Sequence, residues 1–83
     1  MNGITEDKPK EREFGTQPLD AKMNELGFAN HALVAVSTEQ LTHKMVSKAR
    51  SGHFLSVRVR LKVLHAFNKA ANTELRLSDL FNY

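Results

Sequence analysis

Apolar residues recur at helical spacing through most of this chain, and punctuating residues cut the pattern into short pieces. Leu19, Met23 and Leu26 follow one another at steps of four and three, the spacing of one helix face. Pro18 suits the first turn of such a helix and Gly27 its end, which predicts a helix over 18–26. Phe28 is expected to pack into the core beside it. Asn30 is a good cap for a second helix, with His31 on its first-turn surface and Leu33, Val36 and Ala32 turned inward. The β-branched Val34 and Val36 leave a strand as the competing reading. The segment is short and does not alternate cleanly, which favours the helix. Thr38–Leu41 connects it to the next element, and Leu41 is expected to point into the core.

The stretch Thr42–Gly52 is read as a short exposed helix between two caps. Thr42 can accept a bond from a first-turn backbone N–H, and Gly52 can take the left-handed conformation that ends a helix. Met45, Val46 and Ala49 supply an apolar stripe, whereas His43, Lys44, Ser47, Lys48 and Arg50 fill the other side. After the loop His53-Phe54-Leu55, Ser56 caps a long helix expected over 57–71. Val57, Val59, Leu61, Val63, Leu64 and Phe67 share one arc of it, and Arg58, Lys62, His65 and Lys69 the other. Arg60 falls inside the apolar arc, where it either snorkels or reaches a phosphate. Asn72-Thr73-Glu74 forms a turn, and Ser78 can cap a last helical turn, Asp79-Leu80-Phe81.

Residues 1–17 lack this periodicity. Their large apolar side chains are Met1, Ile4 and Phe14, too few to offset the entropy of ordering, so a mobile tail is expected there. Residues 18–83 form the domain. The predicted fold is all-α, a compact bundle of about five short helices.

Length and composition narrow this further. The chain has 83 residues, enough for one small domain, with 41% apolar and 25% charged residues, as in ordinary globular proteins. There is no cysteine, which excludes disulfides, thiolate metal sites and a cysteine nucleophile. No apolar run reaches the length of a membrane span, and residues 1–7 lack the basic start and apolar stretch of a signal peptide. A cytoplasmic location is expected.

Charge changes the picture more. The net charge is +3, but residues 1–17 carry three Lys/Arg against four Asp/Glu, and the remainder carries nine against five. Between Gln40 and Thr73 there is no Asp or Glu, while that span holds seven Lys/Arg together with His43, His53 and His65. Clustering of one sign is the footprint of a surface that binds a polyanion, although a solvated basic face would share it. The net negative charge of residues 1–17 argues against a DNA-tracking arm.

Catalytic constellations are absent. The four histidines, at 31, 43, 53 and 65, have no i, i+4 pairing, and no glycine-rich phosphate loop exists. Neither an enzyme, a cofactor, a metal site nor a small-molecule substrate is expected.

Leu33-Val34-Ala35, Leu41 through Lys48, Gly52, Ser56, Leu61 through Phe67 and the closing Leu77-Ser78-Asp79-Leu80-Phe81 together carry a resemblance. In order and spacing, residues 18–81 resemble the lambda-repressor-like (Cro/repressor, XRE-type) helix-turn-helix domains. The resemblance implies a central helix-turn-helix, with the second helix in support and the third as recognition helix. It also implies a bacterial transcriptional regulator. Val46 matches the family's buried aliphatic and Gly52 its terminating glycine. Thr42 would bond a DNA phosphate, and His43, Lys44, Ser47 and Lys48 would reach base edges or flanking phosphates. Arg50, Arg58 and Lys62 would add phosphate contacts. The expected partner is double-stranded DNA, and a homodimer would double the contacts. The alternative is a protein-interaction module on the same fold, of antitoxin or adaptor type, whose basic face meets an acidic partner.

Overall fold

The computed structural model describes residues 14–83, which form an all-α bundle of five helices. They are α1 (Pro18–Leu26), α2 (Asn30–Val36), α3 (His43–Ser51), α4 (Val57–Ala71) and α5 (Leu77–Leu80). Helix α4 is the longest, and α2, α3 and α5 all pack against it; α1 packs on α3 and α5. The core is a single cluster in which Leu19, Met23, Leu33, Val46, Val63 and Leu80 are fully buried, with Phe67 almost so.

Most predicted ends hold, because the capping groups do what their chemistry allows. The Thr42 Oγ1 accepts from the Met45 N–H at 3.1 Å, and the Ser56 Oγ from the Val59 N–H at 3.3 Å. Gly27 and Gly52 are both left-handed, at φ 72° and 93°. At the end of α1, the Phe28 N–H reaches the Met23 carbonyl at 2.8 Å, which folds the chain back and brings Phe28 edge-on to Phe67 with centroids 6.2 Å apart. Phe28 packs against the core as expected, whereas Leu26, read as part of the apolar stripe, is 52% exposed at the helix tip. Val57, placed on the apolar arc by the sequence, is likewise outside, because it opens α4 beyond the edge of the core.

Two expected caps are corrected. Helix α2 begins at Asn30 itself, with Ala29 as cap, because the Asn30 side-chain oxygen is occupied by Arg50. Helix α5 begins at Leu77 rather than after Ser78. There the Asp79 carboxylate reaches back to accept the Arg76 backbone N–H at 2.8 Å.

The expected tail is also corrected at its inner end. Residues 14–17 are built into the fold, and the rest of the tail lies outside the described residues. The Phe14 N–H donates to the Gly52 carbonyl at 2.8 Å and the Gln17 N–H to the Arg50 carbonyl at 3.0 Å. This strap therefore satisfies carbonyls that the end of α3 leaves open. Gln17 is 1% exposed, and its amide donates to the Gly15 carbonyl at 2.8 Å and accepts from the Asn82 N–H at 2.7 Å.

Candidate nucleic-acid interface

Helix α3 is held from one side and open on the other. Val46 and Ala49 are fully buried and Met45 partly so. His43, Lys44, Ser47, Lys48 and Ser51 are exposed, and at about 100° per residue they span an arc of roughly 140°. Four of the predicted residues thus share one surface. Thr42 joins it at the N-terminal end. Its Oγ1 accepts from Met45, which leaves the hydroxyl proton free to donate.

No carboxylate among the described residues pairs with the lysines of this surface. Among the described residues the ion pairs join Arg50 to Asp20 and His65 to Glu39, so Lys44 and Lys48 carry uncompensated charge. Arg58 and Lys62 lie on α4, one turn from each other. Arg58 is exposed, Lys62 is half-buried, and neither has an ion-pair partner among the described residues.

Arg50 is placed differently from its neighbours. Its Nε donates to Asp20 Oδ1 at 2.6 Å, Nη1 to Asn30 Oδ1 at 2.8 Å and Nη2 to Asn24 Oδ1 at 2.9 Å. The guanidinium is spent on α1 and the start of α2. An open cleft of about 280 Å³ lies beside it, lined by Thr16, Asp20, Asn30, Ser47, Arg50 and Ser51.

Arg60 is turned onto backbone oxygens and a ring. Its Nη1 donates to the Tyr83 carbonyl at 2.8 Å, its Nε to the Leu55 carbonyl at 3.2 Å, and its guanidinium carbon sits 4.6 Å from the Tyr83 ring centroid. The structural role of Tyr83 has no signal in the sequence. Tyr83 stacks on Phe14 at 4.1 Å, and its hydroxyl donates to the His53 carbonyl at 3.0 Å and accepts from the Leu55 N–H at 3.1 Å. A lone aromatic beside Asn82 offers no periodicity from which that role could be read.

Comparison with protein-family models, with curated proteins and with solved structures gives no match. The surface is therefore interpreted on its own chemistry. Among the described residues, no group of His, Asp or Glu side chains is arranged to hold a metal ion, and no helix is long and apolar enough to cross a membrane. The connection between α2 and α3 runs over six residues, 37–42, and holds no glycine. A helix-turn-helix usually joins its helices in three or four.

Proposed function

We propose that this protein binds double-stranded DNA through α3 and acts as a non-catalytic regulator of transcription. The observation that carries the proposal is the open face of α3, where His43, Lys44, Ser47 and Lys48 are exposed and no carboxylate among the described residues pairs with the lysines. A helix of this size fits the major groove, where such donors meet the acceptor edges of guanine and thymine. Thr42 at the cap and Arg58 and Lys62 on α4 supply phosphate contacts that position the helix without reading sequence. A two-fold dimer would place two copies of α3 on successive half-sites.

The test is binding to duplexes selected from a random pool, measured against salt. Each phosphate contact adds about 0.9 to the slope of log K against log salt. Lys48→Ala is expected to weaken binding and to lower that slope by about one. Binding to no duplex, or tight binding indifferent to salt, rejects the proposal.

The six-residue connection without glycine favours a second reading, a protein-interaction module that meets an acidic partner with the same basic face. An NMR titration with duplex DNA separates the two. Shifts centred on 42–48 and the start of α4 support DNA. The absence of any shift of these residues at saturating duplex supports the protein partner.

A further inference from the structure

Helix α3 is anchored by small side chains. Only Val46 and Ala49 of its nine residues are fully buried. Side chains of that size hold a helix against its neighbours but resist rotation about its axis weakly, because they interdigitate little. Backbone bonds from Phe14 and Gln17 fix the C-terminal end of α3 at the Gly52 and Arg50 carbonyls, and the directional side-chain contacts to the neighbouring helices come from one residue. Arg50, in the last turn of α3, meets three oxygens: Asp20 and Asn24, one turn apart on α1, and Asn30, the first residue of α2. Asp20 is held in turn, since its second carboxylate oxygen accepts from the Asn24 amide at 3.3 Å. A planar guanidinium bonded along three fixed directions defines an orientation, whereas a lysine ammonium is a point charge that cannot span the same set.

We propose that Arg50 is a positioning residue that sets the roll of α3 and so decides which side chains face a partner; it is not itself a phosphate contact. The proposal rests on the DNA reading only for its functional consequence. Arg50 lies at the edge of the exposed arc, next in angle to His43. Losing the three bonds would let the helix roll about its axis, and His43, Ser47, Lys44 and Lys48 would turn together. The cost then falls on affinity through geometry, with the number of phosphates neutralised unchanged.

Two variants separate positioning from contact. Arg50→Lys keeps the charge and loses the geometry; Arg50→Met removes both. Each is expected to bind the selected duplex about tenfold more weakly or worse, with the wild-type salt slope retained. Asn30→Ala, which removes one oxygen and leaves every cation in place, should show a smaller loss of the same kind and keeps the test open if Arg50→Met does not fold. Residual dipolar couplings of the α3 amides, measured on the full chain without DNA, should report a reorientation against α1 and α4 in Arg50→Lys. A fall of about one in the salt slope of Arg50→Met would make Arg50 a phosphate contact and overturn the proposal. Wild-type couplings together with wild-type affinity in Arg50→Lys would also overturn it. Should the wild-type chain bind no duplex, the DNA reading fails and the dipolar couplings still decide the role of Arg50.

Discussion

Gln17 shows what a single side chain does here. Its carboxamide is buried with its polar atoms satisfied, donating to the Phe14 and Gly15 carbonyls at 3.3 and 2.8 Å and accepting from the Asn82 N–H at 2.7 Å. A buried amide removed without replacement leaves its partners unpaired, at about 1–3 kcal/mol. Gln17→Leu should therefore lower the free energy of unfolding by an amount in that range, read as a lower urea midpoint with the slope of the transition unchanged. Gln17→Glu should cost more, since it loses both donated bonds and buries a charge in exchange. Equal stability of the Glu variant and the wild type would show that the amide donates nothing. In the sequence Gln17 was one polar residue in a stretch expected to be mobile. Its partners Gly15 and Asn82 lie at opposite ends of the described chain, so no local pattern could announce it. Arg50 is a second such case. Its charge was legible, but the oxygens of Asp20, Asn24 and Asn30 that consume it were assembled by folding.

At the scale of elements, the two glycines that end α1 and α3 look alike in sequence and differ in the fold. Both are left-handed, at φ 72° for Gly27 and 93° for Gly52. A Cβ on Gly27 would meet nothing within 4 Å, whereas one on Gly52 would overlap the backbone of Gly15. Gly27→Ala should thus cost only the left-handed penalty, about 1–2 kcal/mol. Gly52→Ala carries that penalty and must also push the strap off α3, so it should cost more than about 2 kcal/mol. Denaturation of the two variants side by side tests this, and equal losses would mean that the strap does not press on Gly52. Because the strap bonds the carbonyls of Arg50 and Gly52, the Gly52 variant should also disturb the amide resonances of the last turn of α3.

At the scale of the whole molecule, the first and last described segments meet in one aromatic corner. Phe14 stacks on Tyr83 at 4.1 Å with the rings inclined by 12°, and Phe54 and Phe81 approach the Tyr83 ring at 6.1 and 5.9 Å. Arg60 closes the corner by donating to the Tyr83 carbonyl. Aromatic pairs add about 0.5–1.5 kcal/mol beyond the area they bury. A double-mutant cycle over Phe14→Ala and Tyr83→Ala should return a coupling of that size. Additive losses would show that the two ends of the described chain are held independently. The corner also explains why Arg60 tolerates an apolar arc: its donors end on carbonyls and its face lies against a ring, so the charge is not abandoned in the core.

Local chemistry was enough to determine five helices, the caps Thr42 and Ser56, the ends at Gly27 and Gly52, and a basic face on α3, since each depends on residues within a turn or two of one another. The acid-free span from Gln40 to Thr73 likewise needs only counting. Only the tertiary structure decided which of these charges remain available. Arg50 and Arg60 are consumed by oxygens from distant segments, while Lys44, Lys48 and Arg58 make no ion pair among the described residues. It alone also joined Phe14–Gln17 to the end of α3 and to Asn82. Such contacts bridge tens of residues and follow from how the helices pack, and a periodicity of 3.6 carries no information about that.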